Sequence, residues 1–178
     1  MHLFRLLPVA LTAFAATASA RVSATNAPRH EVSCLCEDEA WDIARRWLRI
    51  FSTNGVSGKE EVATIVSANL TSQDDTFGKP TYTLDEFWDA ISAPGNKTTT
   101  NVTQVPAFLL HTCDQIAFNW KYDGVTTGFN STVPPGTAVA FTGNDILRVD
   151  LETRLISNAT SCGDWILLAR QLGGSCTL

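Results

Sequence analysis

Histidine is scarce in this sequence, and this limits the catalytic and metal-binding chemistry open to the chain. Three histidines occur in 178 residues, and two of them, His2 and His30, lie near the N-terminus. His111 is therefore the one histidine in the body of the chain. The Cys34-x-Cys36 pair has no second cysteine pair at zinc-ligand spacing, and the sequence has no Gly-x-Ser-x-Gly motif. We expect no metal, no other cofactor and no serine hydrolase chemistry.

Basic residues are also few. The chain carries 13 Lys and Arg against 18 Asp and Glu, a formal net charge of -5. Its one basic cluster, Arg45, Arg46 and Arg49, falls on the polar side of a predicted amphipathic helix and is expected to be solvated. A nucleic-acid partner is excluded, because binding to phosphate backbones needs a concentrated basic surface.

Long apolar runs are confined to the N-terminus. An apolar stretch follows Arg5 and ends before the small-residue triplet Ala18-Ser19-Ala20, a pattern typical of a secretory signal peptide over residues 1–20. No later segment is long enough to span a bilayer. We therefore expect a secreted, extracellular protein without a membrane association, with a flexible lead-in over 21–33 and a single domain over 34–178.

The cysteines and the sequons are also consistent with a secreted protein. In an oxidising compartment, disulfides are favoured over metal ligands; we predict that the Cys34/Cys36 region pairs with Cys113, and Cys162 with Cys176, although the count also allows other pairings. Asn-x-Ser/Thr sequons without proline in the middle position are candidate glycosylation sites. They occur at Asn69, Asn96, Asn101, Asn130 and Asn158.

The hydrophobic pattern predicts helices first and strands later. Helical spacing indicates a first helix over about 38–51, and Ser57 with Glu60 and Thr83 with Glu86 fit capping boxes of two further helices. Strand patterns follow over 105–111, 115–122, 138–149 and 155–160, and residues 165–171 form either a last strand or a helical turn. The stretches 96–103 and 124–135 read as exposed loops. Helices followed by an antiparallel meander indicate an α+β fold.

One acidic residue falls where an apolar one is expected. Along 138–149 the two-residue period places Asp145 on the same side as Phe141 and Leu147. A buried charge is costly unless it is paired, hydrogen-bonded or facing a wet cavity. Asp145 is therefore either a structural aspartate or an active carboxylate.

Four short motifs and a preceding strand-like segment, Asp114 to Trp120, resemble the SnoaL-like polyketide-cyclase group of the nuclear-transport-factor-2-like superfamily. The likeness covers roughly residues 114–173. Its motifs are Pro134-Pro135-Gly136-Thr137, Gly143-Asn144-Asp145-Ile146-Leu147-Arg148-Val149, Arg154-Leu155-Ile156 and Gln171-Leu172-Gly173.

The resemblance implies a fold and a chemistry. The fold is a cone, a strongly curved antiparallel sheet with about three N-terminal helices over its concave face and a pocket inside. The chemistry is cofactor-independent lyase or isomerase catalysis, in which Asp145 would act as general base with His111 as its proton partner. Tyr82 and Tyr122 are candidates for orienting a substrate carbonyl, and Trp88 and Phe141 are further pocket candidates.

Departures from the family pattern favour binding over turnover. Thr126 and Asn158 stand where many relatives have histidines. Two hypotheses follow: a secreted module that binds a small apolar molecule without turnover, or a cyclase, dehydratase or isomerase acting through Asp145 on a polyketide-like substrate. A homodimer through the outer face of the sheet is compatible with both.

Overall fold

The structure is a computed structural model that describes residues 32–76 and 78–175. Apolar residues at helical spacing form its first helix. The predicted signal peptide, nearly all of the lead-in and Cys176 lie outside the described residues. The elements in chain order are α1 Glu37–Arg49, α2 Lys59–Val62, β1 Val66–Asp74, α3 Leu84–Ser92, β2 Thr99–His111, β3 Gln115–Thr126, β4 Ala138–Val149, β5 Ile156–Gly163 and α4 Trp165–Gln171.

The five strands form one curved sheet in the order β1-β5-β4-β3-β2. Strands β2 to β5 pair antiparallel, whereas β1 pairs parallel with β5. The predicted α+β class is confirmed, but the sheet is mixed rather than wholly antiparallel. The cause is β1, a strand that the sequence pattern did not reveal: only two of its nine residues, Val66 and Leu70, are buried, and a register shift interrupts its pairing with β5 between Val66 and Thr71.

Helix α1 covers the buried side of the sheet with its apolar face. Ala40, Ala44 and Trp47 are fully buried, acidic residues occupy the first turn, and Arg46 and Arg49 occupy the last turn, an arrangement that suits the helix dipole. The basic cluster does more than face solvent. Arg46 donates to the Thr64 carbonyl and Arg49 pairs with Glu61, so both residues tie α1 to the α2 segment.

The two predicted capping boxes have different outcomes. At α3 the Thr83 hydroxyl accepts from the Glu86 backbone N–H at 3.1 Å, as predicted. At α2 the capping box with Glu60 is wrong. The backbone N–H and hydroxyl of Ser57 both donate to Glu61 instead, at 2.8 and 2.9 Å, because the helix begins after Gly58.

Strand β2 begins earlier than the sequence predicts. It includes residues 99–103, for which the sequence predicts an exposed loop, and β3 likewise extends beyond its predicted end to Thr126. Asn101 lies at φ 52° within a register shift of β2, so the strand bulges where its polar composition suggests a loop. All five sequon asparagines are exposed.

A disulfide joins Cys34 to Cys113 across 79 residues of sequence, which confirms the first predicted pairing. Beside it, the Leu35 N–H donates to the Cys113 carbonyl at 2.9 Å. Cys36 and Cys162 are exposed and carry no disulfide within the described residues. The predicted pairing of Cys162 with Cys176 lies outside them.

Residues 165–171 form helix α4, one of the two predicted alternatives. Gln171 fixes this helix to the sheet where β4 extends beyond the end of β5. Its side-chain amide donates to the Ala140 carbonyl and accepts from the Ala140 N–H, both at 2.8 Å, as a neighbouring strand would. Across residues 32–76 and 78–175, no helix is long and apolar enough to cross a membrane.

Candidate functional site

A cavity of about 410 Å³ lies on the concave side of the sheet. Helix α3, the segment after β1 and the inner faces of the strands enclose it. Its wall is largely apolar and aromatic, with a polar strip along one side. The apolar residues are Phe51, Phe87, Ala90, Ile91, Trp120 and Trp165, and the polar ones are Ser72, Asp74, Lys79, Thr81, Gln104, Asp145 and Ser161.

Asp145 is the buried acid of this cavity, and it is only 3% exposed. The strand period of β4 places it on the inner face, where the sequence pattern predicts it. Two indoles hold its carboxylate: the Trp47 Nε1–H donates to Oδ2 at 2.6 Å, and the Trp120 Nε1–H donates to Oδ1 at 2.8 Å. An indole N–H only donates, so both bonds require an acceptor at Asp145.

Gly143 makes room for one of these indoles. It is the backbone partner of Trp120, and a Cβ at Gly143 would lie 2.1 Å from Trp120 Cζ2. The ring therefore lies flat across β4 and reaches Asp145, two residues along on the same face. This geometry gives the Gly-x-Asp spacing of the sequence a physical reason: the glycine accommodates the ring that holds the aspartate.

Burial raises the pKa of Asp145, because desolvation penalises the charged carboxylate. The hydrogen bonds from Trp120 and Trp47 act in the opposite direction, with a smaller contribution from Ser161, and the charge of Asp74 adds to the rise. Asp145 is thus a carboxylate with increased proton affinity, fixed in position and facing a cavity.

A second acid, Asp74, shares the polar strip. Ser161 on β5 is the register partner of both Asp145 on β4 and Asp74 on β1. The three residues therefore form one row across adjacent strands, and all three line the cavity. Asp74 is half-buried, and its Oδ1 accepts from the Thr76 N–H at 2.8 Å.

His111, the predicted proton partner, is not brought to Asp145. It lies at the end of β2 with an exposed side chain, its Nδ1 contacts the Thr112 carbonyl at 3.1 Å, and it is not among the residues that line the cavity.

The four other pocket candidates are also displaced from the cavity around Asp145. Tyr82 is 60% exposed, and Trp88 packs against the core from the side. Phe141 is buried and stacks on Tyr122 with ring centroids 4.4 Å apart. Tyr122 lines a second cavity of about 290 Å³, where its hydroxyl is 2.6 Å from Thr99 Oγ1 and burial raises its pKa.

The two positions where the family resemblance places histidines lie apart from Asp145. Thr126 is buried, and its hydroxyl donates to the Pro134 carbonyl at 2.7 Å, so it secures the turn after β3. Asn158 is exposed on β5 and is the partner of the exposed Arg148, which places it on the outer face of the sheet.

Comparison with known protein families identifies the family of this chain. The family model for the NTF2-like domain matches residues 33–175. The chain belongs to this family. No match was found among curated proteins.

Solved structures share the fold of this NTF2-like domain at low sequence identity. A candidate SnoaL-like polyketide cyclase from Jannaschia sp. CCS1 has a TM-score of 0.62 at 10% identity, covering 83% of this chain and 98% of its own. A protein with a ketosteroid isomerase-like fold from Catenulispora acidiphila, in complex with trimethylamine, has a TM-score of 0.58 at 16% identity, covering 75% and 94%.

A fungal structure is similar to a comparable degree. PrhC from Penicillium brasilianum has a TM-score of 0.58 at 13% identity, covering 75% of this chain and 85% of its own. At these identities the likeness establishes the fold alone.

Sequence reasoning missed most of the cavity lining, and with it the three residues most closely associated with Asp145. The sequence pattern predicts Trp47 on the apolar face of α1 and Trp120 in a strand, and it indicates no polar role for either indole. A buried aspartate needs donors, so the buried tryptophans of neighbouring elements were the available signal. Asp74 was missed together with β1.

Proposed function

We propose that this chain is a secreted glycoprotein whose NTF2-like domain binds a small molecule with a mainly apolar body, without turnover. The observation that carries the proposal is the cavity of about 410 Å³ around Asp145. Its size is typical of ligand sites, and so is its composition, an apolar and aromatic wall with a few converging polar groups.

The absence of a histidine among the described residues that line the cavity supports binding over turnover. Proton shuttling next to a carbonyl needs an acid as well as a base. Within the described part of the chain, the cavity lining includes no histidine, and His111 is exposed at the end of β2. Both oxygens of Asp145 already accept an indole N–H, which favours a positioned anion over a mobile proton carrier.

A second function is favoured by one specific observation. Burial raises the pKa of Asp145, and a carboxylate with increased proton affinity that lines a mainly apolar cavity is suited to general base catalysis. The candidate polyketide cyclase among the structural neighbours makes a cofactor-independent cyclase, dehydratase or isomerase the alternative.

One experiment separates the two functions. Small ketones, hydroxynaphthalenes and polyketide esters are tested both as ligands and as substrates. Their binding is measured by the fluorescence of the tryptophans at the cavity, and their turnover is measured by product formation. We expect saturable binding without product. Turnover in the parent that is lost in Asp145→Asn, while ligand affinity is retained, would replace the binding function with the enzymatic one.

Secretion and glycosylation belong to the same proposal. They are supported by the N-terminal signal-like pattern, by the Cys34–Cys113 disulfide, and by the exposure of every sequon asparagine. The test is expression of the full chain in a eukaryotic host. We expect the protein in the medium, with a mass that decreases on enzymatic removal of N-glycans; retention in the cell with an unchanged mass would contradict it.

We also propose that two copies associate through the outer face of the sheet. Leu110, Ala117 and Ile146 are register partners across β2, β3 and β4, and Leu110 and Ile146 are 63% and 53% exposed. Apolar side chains in one row on a free sheet face mark an interaction surface. Sedimentation analysis of the parent and Ile146→Lys tests this, since only the parent is expected to dimerise.

A further inference from the structure

We propose that the ligand of the cavity around Asp145 is a protonated organic amine, whose ammonium group lies between Asp145 and Asp74 and whose apolar body lies against the aromatic wall. This inference rests on the proposed binding function and adds the charge and chemical class of the ligand.

The row of register partners supplies the geometry. Asp74, Ser161 and Asp145 lie on three adjacent strands, and all line the cavity. Adjacent strands are about 4.8 Å apart, so the backbones of the two aspartates are roughly 10 Å apart. An ammonium group donates to carboxylate oxygens at about 2.7–2.9 Å on each side. The space above Ser161 between the two acids thus suits one ammonium group.

The charges of the lining favour a cation. Among the described residues that line the cavity, there are two carboxylates, Asp74 and Asp145, and one basic side chain, Lys79. Lys79 is exposed, so water and salt screen its charge more than they screen the charge of the buried Asp145. Trp47 and Trp120 give Asp145 hydrogen bonds but no positive charge. A buried carboxylate without an opposite charge is costly, and a bound ammonium group would remove part of that cost.

The apolar wall suits the same ligand class. Phe51, Phe87, Trp120 and Trp165 line the cavity. Aromatic faces attract cations within about 6 Å, and tryptophan does so most strongly. The wall therefore accommodates both the hydrocarbon body of an amine and the carbon atoms next to its charged nitrogen.

Other ligand classes fit less well. An anion would meet two carboxylates. A neutral carbonyl compound finds a hydroxyl donor at Ser72, since the Ser161 hydroxyl already hydrogen-bonds Asp145, but it leaves the charge of Asp145 uncompensated. The two indole N–H groups nearest to Asp145 already donate to it and do not serve as donors for such a ligand.

The test compares ligands that differ in charge alone. Tryptophan fluorescence is titrated at pH 7 with a series of alkyl and cycloalkyl amines and with the alcohols of the same skeleton, for example cyclohexylmethylamine and cyclohexylmethanol. We expect each amine to bind at least about tenfold more tightly than its alcohol.

Charge variants at the cavity sharpen the test. Asp74→Asn is expected to weaken amine binding severalfold and leave alcohol binding unchanged, and Lys79→Met is expected to strengthen amine binding. Asp123→Asn is the matched control, because Asp123 is exposed on the outer side of β3. These variants leave Asp145 intact, so they remain informative if Asp145→Asn fails to fold.

The outcomes distinguish this inference from the binding function. Alcohols that bind as tightly as amines would refute the preference for a cation and leave the binding function standing. Amine binding that is unchanged in Asp74→Asn would refute the placement between the two acids. If no member of either series binds, both the binding function and its amine class are contradicted.

Discussion

The hydrogen bond between Trp47 and Asp145 connects helix α1 to the middle of β4, and its contribution to stability can be measured directly. The bond is buried, is 2.6 Å long and joins residues 98 positions apart. Its acceptor is a carboxylate, and hydrogen bonds to charged groups contribute about 1.5–3 kcal/mol. We therefore expect a coupling energy of about 1.5–3 kcal/mol between Trp47→Phe and Asp145→Ala.

The measurement is a double-mutant cycle of urea unfolding at pH 7. Each single change also alters packing, since both side chains are buried, but these losses cancel in the cycle. Trp41→Phe is the matched control on the same helix. Trp41 is half-buried and contacts Arg45, so its change is expected to cost under about 1 kcal/mol and to show no coupling with Asp145. A coupling energy between Trp47 and Asp145 below about 0.5 kcal/mol would refute the reasoning.

Both the stability of the fold and the coupling energy between Trp47 and Asp145 are expected to change with pH. Burial raises the pKa of Asp145, so the part of the stability linked to its protonation is fully present below the pKa of the unfolded chain. It is lost as the pH rises through the higher pKa of the folded state. The Trp47 bond favours the ionised form, and the coupling energy should therefore decrease when the pH falls below the folded pKa.

Three further predictions concern the supports of the site. Gly143→Ala is expected to displace the Trp120 ring and to destabilise the fold by about 1–3 kcal/mol, as overpacking does; unfolding and the near-UV signal of tryptophan report it. Replacing Cys34 and Cys113 by serine opens a loop of 79 residues and is expected to cost roughly 4–5 kcal/mol in urea unfolding. Asp145→Asn should remove the loss of stability that the parent shows as the pH rises through the folded pKa of Asp145.

Matched variants separate these effects from general damage. Gly95→Ala is the control for Gly143, because a Cβ at Gly95 meets nothing within 4 Å, and Cys36→Ser is the control for the disulfide. Gly143→Ala with the stability of the parent would show that the ring does not need this space. A parent whose stability does not change over the titration range of Asp145 would contradict the pH argument.

The sequence predicts the elements whose side chains alternate or repeat regularly. Strand β4 has the predicted bounds because its inner and outer residues alternate without interruption, and α1 follows from its apolar face. Strand β1 could not be predicted, because its polar residues form a strand only by pairing with β5, which lies about ninety positions later in the sequence. Local patterns carry no information on such pairing.

The same distinction applies to the site. The period of β4 is sufficient to place Asp145 on the inner face. The residues that hold it come from other elements, Trp47 from α1 and Trp120 from β3, and the row with Asp74 depends on the register of three strands. The pairing of His111 with Asp145 failed for the same reason: strand parity gives the face of a residue but not its distance along the sheet.

The exposed position of Asn158 would place the proposed N-glycosylation and the proposed dimerisation in competition for one surface. Asn158 is the register partner of Arg148, and Ile146 lies two residues along on the same outer face. Diagonal neighbours of this kind are about 7–8 Å apart, so an N-linked sugar on Asn158 would overhang the apolar row proposed for association. Occupancy of this single sequon would then decide whether a chain is able to dimerise, and processing in the secretory pathway would control the oligomeric state together with protein concentration.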